Sequence, residues 1–149
     1  MRQQRQSHET DIKQLNTFLR DEKAAVETYQ QCVEKMDDAE IAAELVALQK
    51  SHQQRAGLLS NKVKELGGTP ESKSGMWGSF AKLVEGSAKA FGKKTALSAL
   101  EEGEDRGRDS YQSKTRDLSP ECQSFINTMI LPEQHRSHDE LNRIIKTIH

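Results

Sequence analysis

The sequence has few aromatic residues, few prolines and no long apolar run. Aromatic residues make up 5% of its 149 residues, and there are only three prolines. No apolar stretch approaches the roughly 18 residues that a membrane-spanning helix needs, so we expect no membrane span. Charged residues, in contrast, make up 30% of the chain. That composition suits long helices with solvated faces better than a sheet, and the length suits a single domain with one core.

The small net charge and the low cysteine content indicate which functions and which location to expect. The net charge at pH 7 is −1, so the molecule as a whole offers no electrostatic basis for binding nucleic acid. Cys32 and Cys122 lack the spacing of a metal site and are interpreted as buried free thiols, although the sequence also allows a disulfide. The N-terminal MRQQRQSHET has no apolar core. We therefore expect no signal peptide and a cytoplasmic location.

Apolar residues recur in alternating steps of three and four along most of the chain, which is typical of packed helices. The pattern predicts one all-α domain over 1–149, an up-down four-helix bundle with a long crossover between its second and third helices. The predicted segments are helix 1 at 10–36, helix 2 at 39–66, the crossover at 69–94, helix 3 at 95–117 and helix 4 at 120–148.

Capping residues and turn formers mark the ends of these helices. Asp37 followed by Glu40 is a plausible capping box at the start of helix 2. Gly67 suits a left-handed C-cap at the end of that helix. Ser119 and Pro120 suit the N-cap and first position of helix 4. Residues 1–9 are polar, and we expect them to fray.

The crossover contains an amphipathic stretch at 76–91, with Trp77, Phe80 and Phe91 on one side and lysines on the other. One interpretation is a basic segment that lies on a membrane surface. The interpretation we favour is a short helix whose aromatic side chains cover the bundle, because such a segment needs large apolar side chains and the chain has few others.

A single carboxylate interrupts the apolar seam of helix 1. The seam positions are Ile12, Leu15, Leu19, Glu22, Val26, Tyr29, Val33 and Met36. A charge buried on such a seam costs several kcal/mol unless it is paired or binds a cation. Glu22 therefore indicates either a functional site or an internal ion pair.

The other three helices repeat this arrangement. Helix 3 aligns with helix 1 without gaps, and in both a glutamate precedes a tyrosine by seven residues. Helix 4 aligns with helix 2, and a histidine of helix 4 falls at the position that His52 has in helix 2. The matched pairs are Glu22 with Glu104, Tyr29 with Tyr111, Gln49 with His135 and His52 with His138. The chain thus contains two similar helical hairpins, and we expect Glu22, His52, Glu104 and His138 to meet at one level of the interior.

Pro132 lies inside predicted helix 4, immediately before His135 and His138. Proline has no N–H and should distort the helix there, leaving the carbonyl of Thr128 without its partner.

This arrangement resembles the ferritin-like superfamily, in which two helices each supply a glutamate and two each supply Glu-x-x-His around two iron or manganese ions. The chain is more closely similar to a family of uncharacterised bacterial ferritin-like proteins, a domain of unknown function. The stretches that carry this resemblance are LGGTP at 66–70, WGSFAKLVEG at 77–86, ALEEGEDRGRDSY at 99–111 and LPEQHRSHDEL at 131–141.

The resemblance implies a metal site, but two of its carboxylates are replaced. Gln49 and His135 stand where the superfamily has bridging glutamates. Glutamine cannot supply the charge that two adjacent dications need, so the set suits one divalent transition metal (Fe, Mn or Zn) better than a pair. The predicted ligands are Glu22, His52, Glu104 and His138, with Gln49 and His135 as additional or adjustable ones.

Two functions follow from these residues, and no catalytic residue is identified for either. The first is metal handling or protection against oxidative stress. The alternative is a non-catalytic, stress-related or interaction bundle in which buried Glu–His pairs, closed by Tyr29 and Tyr111, need no metal. In both cases we expect a homo-oligomer, with a dimer favoured.

Overall fold

The structure, a computed structural model, describes residues 2–74 and 93–148, with side chains from His8 onward. The described part of the chain is all-helical and has no strand, as a helical bundle requires. Its helices are α1 (Arg2–Lys35), α2 (Ala39–Glu65), α3 (Lys93–Lys114), α4 (Pro120–Phe125) and α5 (Leu131–Thr147). A 3-10 turn at Thr115–Asp117 follows α3, and a π-helical turn at Ile126–Ile130 joins α4 to α5. The expected amphipathic helix at 76–91 lies outside the described residues.

One predicted helix start and one predicted N-cap were wrong. The first helix begins at Arg2 rather than at Thr10, because the intervening arginines and glutamines are good helix formers and neither glycine nor proline interrupts them. At the second helix, Asp38 rather than Asp37 is the N-cap, and its Oδ1 accepts a hydrogen bond of 3.1 Å from the backbone N–H of Ile41.

The predicted end of α2 and start of α4 are confirmed. Gly67 adopts a left-handed φ of 86°, and the N–H of Gly68 donates to the carbonyl of Val63 over 2.9 Å. At α4, the hydroxyl of Ser119 accepts from the N–H of Cys122, and proline occupies the first turn. These caps satisfy backbone groups that helix ends leave unpaired.

The turn between α1 and α2 and the contacts between α1 and α3 give the directions of these three helices. The turn between α1 and α2 is short, so these helices are antiparallel. Tyr29 contacts Glu104 while Tyr111 contacts Glu22, so α3 is also antiparallel to α1. Consequently α2 and α3 run in the same direction, and the chain between them has to span the length of the bundle. Within the described ranges, no helix is long and apolar enough to cross a membrane.

A polar layer separates two apolar clusters in the core. One cluster includes Tyr29, Cys32, Leu45, Leu97, Leu100 and Leu141. The other includes Leu15, Phe18, Leu59, Tyr111, Cys122 and Ile130. Each cluster holds one cysteine, and both cysteines are buried and free, which confirms the free-thiol interpretation. Of the predicted site residues, Glu22, His52 and Glu104 lie in the polar layer between the clusters.

The distortion expected at Pro132 takes the form of the π-helical turn. The N–H of Leu131 donates to the carbonyl of Ile126, five residues earlier, instead of to a carbonyl four residues earlier. The wider turn accommodates the backbone immediately before a proline that cannot donate.

Candidate functional site: a buried glutamate–histidine–arginine network

His52 lies at the centre of the polar layer and bridges two carboxylates. Its Nδ1 is 2.8 Å from Oε2 of Glu22 on α1, and its Nε2 is 2.7 Å from Oε1 of Glu104 on α3. All three side chains are buried. One imidazole on α2 therefore joins the two glutamates that the internal repeat had paired.

Arg55, one turn after His52, extends this arrangement to α5. Its side chain is fully buried. Its Nε donates to Oε2 of Glu22 over 3.0 Å, and its Nη1 donates to the hydroxyl of Ser137 over 3.2 Å. Its Nη2 contacts the ring of His52. Ser137 in turn donates to Oε2 of Glu104 over 3.0 Å, so the contacts form a closed ring.

The two tyrosines complete the arrangement reciprocally. Tyr29 on α1 donates to Oε1 of Glu104 over 2.8 Å, and Tyr111 on α3 donates to Oε1 of Glu22 over 2.9 Å. Burial and the neighbouring carboxylate raise the pKa of each tyrosine well above its ordinary value. Both hydroxyls therefore remain protonated and act as donors. We term the whole set the core network: Glu22, Tyr29, His52, Arg55, Glu104, Tyr111 and Ser137.

The core network is balanced in charge. Burial by itself would raise the pKa of Glu22, but Arg55 and His52 outweigh it and lower that pKa to about 2. His52 and Arg55 likewise lower the pKa of Glu104, against the effect of burial. Burial and Arg55 tend to lower the pKa of His52, yet Glu104 and Glu22 raise it overall. Two carboxylates thus face one guanidinium and one imidazole whose protonated form they favour.

Of the residues expected to meet in the interior, His138 does not join the others. Its Nε2 is 2.6 Å from Oδ1 of Asp105, and its Nδ1 is 3.3 Å from the side-chain amide of Asn142. The buried position on this turn of α5 is Ser137. Because one residue turns an α-helix by about 100°, placing Ser137 inward directs its neighbour His138 toward the rim. The prediction that four residues share one interior level was therefore wrong for His138.

The two additional candidates also lie apart from the core network. Gln49 is buried, but its side-chain amide donates to the carbonyl of Val26 over 3.1 Å and to Oε1 of Gln30 over 2.9 Å. It therefore ties α2 to α1. His135 is exposed. Neither position supplies a ligand toward Glu22 and Glu104.

Sequence reasoning missed Arg55 and Ser137. The inward positions of a helix recur every three or four residues. After His52, the apolar candidate for the next inward position was Ala56. Ala56 is only partly buried, whereas Arg55 is fully buried. A signal was available in the charges. Two carboxylates on buried seams need two cationic partners, and Arg55 stands on the same helical face as His52, three residues later.

The donor set as arranged does not fit a transition metal. Both ring nitrogens of His52 already face carboxylates, and the guanidinium of Arg55 lies against Glu22 and His52. Across the described ranges, no group of three or more His, Cys, Asp or Glu side chains has an arrangement that could hold a metal ion. The predicted ligand set of Glu22, His52, Glu104, His138, Gln49 and His135 stays a prediction as far as binding is concerned.

Comparison with known proteins gives a family. No curated protein and no solved structure matches the chain. Residues 10–117 match the family described as "Domain of unknown function (DUF2383)". This match covers more than half of the chain, and it includes Glu22, His52, Arg55, Glu104 and both tyrosines of the core network. The chain therefore belongs to the DUF2383 family.

Proposed function

We propose that this protein is a non-catalytic four-helix bundle in which the core network is a structural centre without a bound transition metal. It acts through its outer surfaces, by self-association or by binding a partner. The observation that carries the proposal is the position of Arg55, whose guanidinium lies fully buried among the groups that would otherwise ligate a metal.

Charge supports this interpretation. With Arg55 and a protonated His52, the two buried glutamates are neutralised. A divalent metal bound to Glu22 and His52 would place two further positive charges beside a guanidinium in a poorly solvated interior. Such a site would require Arg55 to leave or His52 to lose its proton, and either change disrupts hydrogen bonds that the structure already satisfies.

The network also suits a role in fixing one arrangement of the helices. Glu22 comes from α1, His52 and Arg55 from α2, Glu104 from α3 and Ser137 from α5. A sliding movement of any one of these helices would leave a buried charge without its partner, at a cost of several kcal/mol. An apolar layer would penalise such movements less, so we propose that the network sets the register of the bundle.

The parallel direction of α2 and α3, which demands one long crossover, supports a ferritin-like topology for this bundle. In that superfamily the bundle core is the usual place for metal. We propose that this chain keeps the topology and has replaced the metal by an internal cation, Arg55. A cytoplasmic location agrees with its two buried free thiols.

Metal analysis of protein purified without a chelator tests the proposal. We expect iron, manganese and zinc at well below one ion per chain, and an unfolding midpoint that none of these ions changes when added. About one ion per chain in the wild type, lost in both Glu22→Gln and His52→Gln, would overturn the proposal and favour metal handling. Glu44→Gln, an exposed substitution on α2, is the matched control.

A further inference from the structure

A small cavity adjoins the core network where α1, α2, α3 and α5 meet. Its volume is about 20 Å³, and roughly 10–15 Å³ is enough for one water molecule. Gly103 and Gly107 of α3 line the cavity without contributing a side chain. Asp21 of α1, Ser110 of α3 and Gln134 of α5 line it with polar side chains. The cavity is therefore small, and polar groups from three helices reach its wall.

The side-chain oxygen of Gln134 lies in this wall without a donor. Gln134 is 1% exposed, and its Nε2 donates to the backbone carbonyl of Glu104 over 3.3 Å. Because the end of the amide that faces a carbonyl has to be the donor, the other end is the oxygen. Within the described residues, this Oε1 has no hydrogen-bond partner. A buried acceptor left unsatisfied destabilises the fold, so Oε1 indicates an occupant that donates a hydrogen bond.

The hydroxyl oxygen of Ser110 is a second atom of this kind. It is buried, and across the part of the chain that the structure describes it also has no partner. A hydroxyl can both donate and accept. Ser110 and Gln134 line the same cavity, yet no hydrogen bond joins these two oxygens to each other. One molecule that donates to Gln134 and shares a hydrogen bond with Ser110 would satisfy both.

The charges around the cavity do not select an ion. Acidic and basic side chains line it together, namely Asp21, Glu22, Glu104, His52 and Arg55. Burial raises the pKa of Asp21, and the nearby Lys114 and Arg20 oppose this effect. Negative charge at the cavity is thus offset by positive charge, both in its wall and just outside it. A neutral occupant fits this balance without disturbing the core network.

We propose that the cavity binds one water molecule, which bridges α3 and α5 beside the core network. The water donates one hydrogen bond to Oε1 of Gln134 and shares another with the hydroxyl of Ser110. The carboxylate of Asp21 supplies a third neighbour. Buried waters typically make about three hydrogen bonds to otherwise unpaired groups, and these three residues supply that number. The bridge holds whether the bundle associates with itself or binds a partner.

A crystal structure of the full chain, at a resolution that shows ordered water elsewhere on the protein, tests the proposal directly. We expect one peak of electron density within hydrogen-bond distance of Oε1 of Gln134 and of the hydroxyl of Ser110. Crystals grown in rubidium chloride should show no anomalous signal at this position. A dry cavity would overturn the inference, and so would an anomalous peak, which would mean that a cation occupies the cavity.

A pair of variants tests the bridge in solution. Ser110→Ala and Gln134→Leu each remove one partner of the water, and urea unfolding gives the folding equilibrium constants of both variants and of the double variant. The bond between Gln134 and Glu104 is lost with Gln134→Leu in either background, so its effect cancels. Because the two side chains share a water, we expect the double variant to lose at least about twofold less than the product of the single losses.

Ser113→Ala, the same substitution at an exposed position of α3, is the matched control. Its effect should multiply with that of Gln134→Leu, because Ser113 does not line the cavity. If the losses of Ser110→Ala and Gln134→Leu multiply just as those of the control pair do, no water bridges the two side chains and the inference is overturned.

Discussion

At the scale of single residues, Arg55 is the side chain whose removal should destabilise the bundle most. Arg55→Met keeps much of the aliphatic volume but leaves Glu22 buried without its guanidinium. Breaking a buried ion pair from one side costs roughly 3–5 kcal/mol. We expect a loss of that size in the free energy of unfolding, measured by urea denaturation at pH 7.

Arg136→Met provides the comparison for that loss. Arg136 is on α5, with its side chain 51% exposed, and it pairs with Glu133 over 2.9 Å. Exposed pairs of this kind contribute about 0–1 kcal/mol. If the two arginine variants lose similar amounts of stability, Arg55 is not the counter-ion of the buried carboxylates in solution.

Glu22 should make the bundle sensitive to acid. Its pKa falls from 4.5 to about 2 in the folded protein, because Arg55 and His52 outweigh the effect of burial. A depressed carboxyl pKa contributes stability that is present above pH 4.5 and is lost as the pH falls toward 2. This lowering of the Glu22 pKa corresponds to about 3 kcal/mol in the free energy of unfolding.

Unfolding free energies measured between pH 7 and pH 2 check this prediction. We expect a steep fall below pH 5 in the wild type and a shallower one in Glu22→Gln, which cannot be protonated. His52 acts in the opposite direction. Its raised pKa gives stability that is present below pH 6.5 and is lost as the pH rises through its folded-state value. Equal acid slopes in both proteins would contradict the assignment of the acid response to Glu22.

Two pairs of residues that sequence reasoning found share one property. Glu22 with Tyr29 and Glu104 with Tyr111 are each seven residues apart, two helical turns, so each pair faces one way whichever step of three or four is chosen. Arg55 could not be found in the same manner. When the inward positions of a helix are chosen by hydrophobicity, charged residues are assigned to the surface. Only the need to balance the buried carboxylates indicates that Arg55 is buried.

At the scale of whole elements, the register of α5 shows where pattern reading fails. From the end of the π-helical turn through α5, the buried residues are Ile130, Gln134, Ser137, Leu141 and Ile144. Apolar residues occur at both 144 and 145, so hydrophobicity alone does not show which of these two neighbours faces the core. The match with His52 favoured His138, and the structure instead buries Ser137, whose small side chain leaves room for Arg55.

Helix ends were predictable where a residue type enforces them. Gly67 stops α2 because its left-handed backbone disfavours other residues, and Ser119 starts α4 because its hydroxyl caps a free N–H. The start of α1 had no such marker. The sequence of its first turns is polar, and a pattern of hydrophobicity cannot detect a helical turn that has no apolar residues.

Asp11 ties α1 to the start of α4. It is 1% exposed, and its two carboxylate oxygens accept from the backbone N–H and the hydroxyl of Ser119 over 2.9 and 2.6 Å. Asp11→Ala removes both bonds at a helix start. We expect a loss of about 1–2 kcal/mol, by analogy with the loss of a helix cap, seen as a lower unfolding midpoint. Glu9→Ala, at an exposed position two residues away, should change the midpoint little.

At the scale of the whole molecule, one buried polar layer connects four helices and lies between two apolar clusters. The all-helical class and the meeting of Glu22, His52 and Glu104 at one level could be predicted from the sequence, because apolar residues recur in steps of three and four and the two glutamates occupy matching positions of a repeat. The chemistry of the layer could not, because it depends on which of two adjacent residues on α2 and α5 faces inward.

Self-association is one of the two ways in which this bundle is proposed to act, and Met129 is the side chain that tests it. Among the described residues it is the exposed large hydrophobic side chain, at 47%, and it lies on the π-helical turn at Ile126–Ile130. Burying such a side chain against a second copy would remove apolar surface from water.

We expect light scattering to show a dimer for the wild type and a shift toward monomer for Met129→Glu. Gln53→Glu, at an exposed position of α2, controls for the one added negative charge. A wild type that is monomeric at high concentration, or a dimer that Met129→Glu leaves intact, would show that this turn is not the contact surface.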